Sequence, residues 1–340
     1  MTGHLSDCAW RRLGWLAFGA VCLVILSMLS LAIGSRTIPL AETLDALRRF
    51  DHGDDLHLIV RELRIPRTCL AVLAGASLGV AGAMVQAITR NPMAEPGLLG
   101  INGGAAILVV LGIAVFGLTG MHQYVWLGYA GAGLAGVAVF LLGRAHRAGT
   151  DPVRLLLAGA GLSVVLGSAT SLVILNADAG VFDTFRNWAA GSVEGRNMQI
   201  VSTLALSLLC GSSIALGLAS SLNGLALGED VGRALGIRPG WVWSLACFSV
   251  MMLAGGATAA IGPIGFVGLV APHLARVVCG PDYRWIFPYA ALFAAMLLLI
   301  ADMIGRVIAT PSEIPAGIVS TLLGGPFFVY VARRFKLARL

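Results

Sequence analysis

The sequence predicts an all-α, polytopic membrane protein with ten transmembrane helices. Three observations carry this. First, 58% of the 340 residues are hydrophobic and only 12% are charged, where a soluble domain carries about 25% charged residues. Second, apolar runs near the ~20 residues that cross a bilayer recur to the C-terminus, so a cleavable leader does not account for them. Third, the breaks between runs are short and rich in Pro, Gly and Arg.

The first span is expected at residues 13–34. Residues 35–67 follow outside the bilayer, with the amphipathic stretch "LAETLDALRRF", in which Leu40, Leu44 and Leu47 share one helix face. "RELRIPRTC" (61–69) then leads into the second span, 68–88. Arginines at a helix end either anchor it at the interface or grip carboxylates through bidentate pairs.

"TRNPMAEPGLLGINGG" (89–104) turns the chain into the third span, 98–117. The residue before Pro92 avoids the helical region, Pro96–Gly97 opens the next helix, and Glu95 is favoured near that helix's positive end. Small residues at 100, 103 and 104 permit close helix packing. Spans four and five are expected at 123–143 and 153–175, and a structured outer segment at 176–198.

The sixth span, 199–219, is followed by "LNGLALGEDVGRALGI" (222–237). Leucines and valine interleave with Glu229, Asp230 and Arg233, and two short helices joined at Gly228 suit either a solvated loop or a docking knob. Spans seven and eight fall at 240–261 and 264–280, with Pro263 and Pro272 inside a helical pattern and His273 beside Arg276. The ninth span, 285–305, ends with Asp302 and Arg306 at i and i+4, spaced to pair. Such a pair still leaves Arg306 able to face outward with Arg64 and Arg67. Glu313 precedes the tenth span, 315–332.

An even span count puts both termini on one side. With that side cytoplasmic, 14 of the 23 basic residues lie inside, which agrees with the positive-inside rule. Six of the nine outer arginines lie between the first two spans, where an acidic partner would suit them.

Several chemistries are disfavoured. Lys336 is the one lysine and Leu337 follows it, so no GxxxxGK[ST] phosphate loop occurs and ATP-driven work would draw on another subunit. The six cysteines stand at least fourteen residues apart, mostly in apolar runs. The six histidines show no zinc-site spacing. No nucleophile–base pair stands out, so an enzyme is not expected, and neither is a bound metal or a nucleic-acid partner.

The stretches "RIPRT", "AGASLGVAGAMVQAITRNPMAEPGLLGINGGA", "VRLLLAGAGLS", "LNGLALGEDVGRALGI", "GPIGFVGLVAPHLARVVCGPDYRW", "LLLIADMIGR" and "EIPAGIVSTLLGGPFF" resemble, in order, the iron-chelate (FecCD-type) permease family of ABC importers. That family includes ferric-siderophore, heme and vitamin B12 permeases. "FRNWAAGSVEGRN" is most similar to ferric-catecholate permeases.

The resemblance implies one transmembrane domain over residues 1–340 with the type II ABC importer permease fold, in a bacterial inner membrane. It implies a second permease subunit, two cytosolic ATP-binding subunits that hold ATP-Mg, a periplasmic binding protein, and no cofactor on this chain. Arg64, Arg67 and Arg306 match positions that take glutamates of the binding protein. Within the ATPase-docking helices at about 222–237, the matching residues are Asn223, Leu225, Leu227, Gly228, Glu229, Asp230, Arg233, Leu235 and Gly236. Asn91, Met93, Thr150 and Asp151 match the cytoplasmic gate, with Met93 where Leu is usual and Asp151–Pro152 departing from the vitamin B12 permease. The implied function is import of a ferric siderophore or related chelate. The alternatives are a vitamin B12 or heme permease, or an ATP-independent carrier with Asp302 as coupling carboxylate.

Overall fold

The computed structural model describes residues 2–34, 36–143 and 152–334. Within them the chain is helical, with no strand. Helix α1 (Thr2–Ala32) leads to α2 (Leu40–Arg48) and α3 (Asp55–Leu58), and a π-helical segment, Ile59–Arg64, runs into α4 (Ile65–Thr89). A 3-10 turn, Pro96–Leu99, precedes α5 (Ile101–Phe116), then α6 (Met121–Leu142), α7 (Pro152–Leu175) and α8 (Ala179–Ala189). Next come α9 (Met198–Ala226), α10 (Glu229–Ala234), α11 (Pro239–Ile261), α12 (Val267–Cys279), α13 (Tyr283–Ile308) and α14 (Ala316–Arg334).

All ten expected apolar stretches contain a helix, but among the described residues seven helices are long and apolar enough to cross a membrane. Ile101–Phe116, Val267–Cys279 and Ala316–Tyr330 are shorter. The 13 residues of α12 extend about 20 Å at ~1.5 Å per residue, against a hydrocarbon core of about 30 Å. The cause lies in "GPIGF": Gly262 adopts φ +81° and ends α11, and Phe266 takes φ +65° as the residue before α12. Pro263 therefore sits in a break, not inside a helix as its neighbours suggested, while Pro272 does lie within α12.

Helix α4 is the centre of the bundle. Its glycines form a strip against α12 and α13. A Cβ at Gly75 would come within 2.6 Å of the Ala294 carbonyl oxygen, and one at Gly82 would overlap the carbonyl of Gly268. Backbone contact this close admits no side chain, the arrangement small residues allow in a membrane. α1 and α7 lie at the periphery, and only 11% of the most apolar window of α7 is buried within the chain. A small satellite core of Ile38, Ala46 and Val60 holds the segment between α1 and α4 together.

Candidate functional site

The N-terminal end of α4 gathers the predicted arginines with Asp302 and Glu313. Pro66 in the first turn of α4 needs no N–H partner there, and one residue on, Arg67 reaches across to α13. Its Nε and Nη2 donate to Asp302 Oδ1 at 3.0 and 2.7 Å, and its Nη1 donates to Glu313 Oε2 at 2.6 Å. Asp302 Oδ2 pairs with Arg306 Nη2 at 2.7 Å, so the expected i, i+4 pair forms. Asp302 is thus held between two guanidiniums, and it is 1% exposed.

Arg64 and Arg306 do not face outward. Arg306 is 2% exposed and donates Nη1 to the carbonyls of Ser30 and Ile33 at 2.9 and 3.0 Å. Arg64, also buried, donates Nη1 to the carbonyls of Leu31 and Ala32 at 2.7 and 2.8 Å, and Nη2 to the Arg36 carbonyl. Together they cap the last turn of α1, where orphan carbonyls and the negative helix end favour cations. A carboxylate pair cannot neutralise three guanidiniums, so the cluster keeps an excess positive charge. Its arginines and Glu313 line a cleft of about 530 Å³ that also takes in Arg36, Glu62, Glu194 and Arg196. Ser30, bonded by its hydroxyl to Thr68 at 2.9 Å and to Arg306 at 2.6 Å, is a member that nothing in the local sequence pattern singles out.

At the other end of the bundle, α9 runs unbroken to Ala226, so only α10 is a separate short helix in the 222–237 segment. Gly228 joins them at φ +119° and Gly236 follows at φ +80°, both open to glycine at little cost. Leu227, Val231 and Leu235 are exposed, and Glu229 pairs with Arg233 at 3.2 Å. Asp230 is exposed beside them in the first turn of α10. Two predicted docking residues turn inward instead. Leu225 is buried, and Asn223 donates Nδ2 to Asp282 Oδ1 at 2.6 Å while its Oδ1 accepts from the Tyr283 N–H at 3.0 Å. Asn223 therefore ties α9 to the start of α13.

The 89–104 turn begins one residue earlier than Asn91–Pro92 suggests: Arg90 takes φ +49° and ends α4. Asn91 Oδ1 accepts from the Met93 N–H at 2.9 Å, an Asx turn. Both side chains are half-buried. Glu95 does not cap its own helix; its carboxylate reaches the Phe266 N–H at 3.4 Å, at the start of α12. Burial pushes its carboxyl above the usual carboxylate range. One further contact leaves no mark in the local residue pattern. Arg90 Nη2 donates to the Leu225 carbonyl at 3.0 Å and so joins this turn to the knob. Thr150 and Asp151 lie outside the described residues.

Among the described residues, Glu42, Asp54 and His57 bring possible metal-ligand atoms within 4.8 Å of one another. His57 Nδ1 accepts the Asp51 N–H at 3.1 Å, so the neutral ring carries its proton on Nε2, which faces Glu42 at 3.5 Å. That tautomer leaves no lone pair on Nε2 for a metal.

The chain as a whole has known counterparts. Residues 22–334 match the model of the FecCD transport family. The chain is 41% identical over 313 residues to the ferric enterobactin transport system permease protein FepD of Escherichia coli (strain K12), covering 92% of both. It is 34% identical over 330 residues to the hemin transport system permease protein HmuU of Yersinia pestis, covering 95% of this chain and 96% of that one. Its fold is similar, with TM-score 0.84 and 27% identity, to a metal-chelate type ABC transporter solved in an inward-facing conformation, covering 95% of this chain and 99% of the other. PsaBC from Streptococcus pneumoniae shares the fold at TM-score 0.60 and 15% identity. With the family match running through both the arginine cleft and the knob, the chain belongs to the FecCD transport family.

Proposed function

We propose that this chain is the permease subunit of an ATP-driven importer that carries a ferric siderophore, catecholates foremost, inward across a bacterial inner membrane with both termini cytoplasmic. One domain would span the whole chain. The observation that carries the reading is the pairing of two unlike ends on one helical bundle. A cationic cleft stands at one end, and an exposed apolar knob of Leu227, Val231 and Leu235 stands at the other. A cationic cleft suits an acidic soluble partner. An apolar knob with charged flanks suits a subunit interface.

The partners are a binding protein outside, two ATP-binding subunits inside that hold ATP-Mg, and a second permease. The low burial of α7 within the chain supports the last, since an apolar helix this open needs lipid or another subunit against it. In docking, Arg67 is the arginine available to an incoming carboxylate. Its side chain is 12% exposed and its Nη1 partner Glu313 sits at the cleft. Arg64 and Arg306 would act from beneath by holding α1 in place. Asn91 and Met93, with Thr150 and Asp151, form the gate in this reading. The direct contact from Arg90 to the knob is how ATPase movement would reach it.

The knob is tested by Leu227→Asp with Leu235→Asp. Both side chains are exposed, so the variant should insert and melt as the parent does. It should lose co-purification of the ATP-binding subunits. Undiminished co-purification would place the ATPase elsewhere.

A further inference from the structure

Helix α2 turns its leucines away from the protein. Leu40 is 50% exposed, Leu44 37% and Leu47 40%, while Thr43 and Ala46 are buried at 0% and 2%. The sequence alone makes those leucines one apolar face; the structure gives the packing role to the small residues instead. At about 3.6 residues per turn the nine residues of α2 and its C-cap Arg49 divide into three continuous arcs. Thr43, Ala46 and Glu42 face the protein, the last toward His57. Leu40, Leu44 and Leu47 form the next arc. Ala41, Asp45, Arg48 and Arg49 form the third, and all four are exposed.

The position of α2 relative to the membrane is fixed by α1. The Ile38 N–H donates to the carbonyl of Ala32, the last residue of α1, at 3.1 Å. α2 thus starts beside the point where a span leaves the hydrocarbon. On α1 the exposed apolar surface continues through Val24, Ile25, Met28 and Leu29 to within a turn of that end. An apolar arc between a protein face and a charged face is the pattern of a helix lying in a membrane interface.

We infer that α2 is an interfacial helix, with Leu40, Leu44 and Leu47 against acyl chains on the side where α1 ends and Arg48 and Arg49 at the level of lipid phosphates. It contributes Ala46 to the satellite core with Ile38 and Val60, and so helps seat the segment that delivers Arg64 to the α1 cap. The inference is independent of what the protein carries.

The test uses the full chain in vesicles of phosphatidylcholine and phosphatidylglycerol, with one tryptophan added to the seven present. Emission added by Leu44→Trp or Leu47→Trp should be quenched several-fold more by brominated phosphatidylcholine than by acrylamide. Asp45→Trp should show the reverse. Acrylamide quenching at Leu44→Trp equal to that at Asp45→Trp overturns the inference. So does quenching relieved only by adding the binding protein, which would make this arc a protein-docking face. If a tryptophan variant fails to insert, a photo-reactive side chain at Leu44 replaces it; lipid adducts support the inference and protein adducts overturn it.

Discussion

Asp302 accepts from Arg67 and Arg306 at once and is almost wholly buried, so the two guanidiniums depend on it. Removing one member of a buried ion pair leaves an uncompensated charge and costs about 3–5 kcal/mol. Asp302→Asn keeps the volume and removes the charge, so thermal unfolding in detergent should fall well below that of the parent. Asp183→Asn is the control, since its pair with Arg186 is exposed on both sides and such pairs add little. The Asp302–Arg306 pair was legible from i, i+4 spacing alone. That Arg64 and Arg306 cap α1 was not. Their partners are backbone carbonyls 28 to 33 and 273 to 276 residues away, and a carbonyl leaves no mark in a sequence.

Among the elements, α4 joins both ends of the molecule. Its glycine strip sets how closely α12 and α13 approach. Gly82→Ala would drive a Cβ into the Gly268 backbone, and overpacking of this kind costs about 1–3 kcal/mol or more. Gly133→Ala meets open space and should be neutral. The measurement is folded yield with thermal unfolding for both; equal behaviour would mean the close α4–α12 contact is absent. At its far end α4 stops at Arg90, whose bond to the Leu225 carbonyl links turn to knob. Arg90→Gln should leave ATP hydrolysis by the assembled importer near its parental rate and reduce uptake several-fold, and a matched fall in both would indicate a folding role. Helix existence and type followed from apolar run length. The short α12 did not, because Gly262 and Phe266 break the backbone inside a stretch whose composition stays apolar.

At the scale of the whole molecule, the arginine cleft and the knob lie at opposite ends of α4, and between helices Glu95 and Arg276 are half-buried against Phe266 and Gln86. A proton-coupled carrier would draw on a buried acid free to take up and release a proton. Asp302 does not serve that purpose here, since both its oxygens are engaged by arginines. The same account requires that energy enter through a separate ATP-binding subunit, as the chain's one lysine is not in a phosphate loop. The central claim is therefore tested most directly by uptake of a radio-iron ferric catecholate into vesicles holding this chain, its second permease and its ATP-binding subunits, with the binding protein outside. The account predicts uptake that needs ATP on the knob side and the binding protein on the cleft side, and that continues when an uncoupler removes the proton gradient. Uptake that proceeds without ATP and collapses with the uncoupler would contradict it.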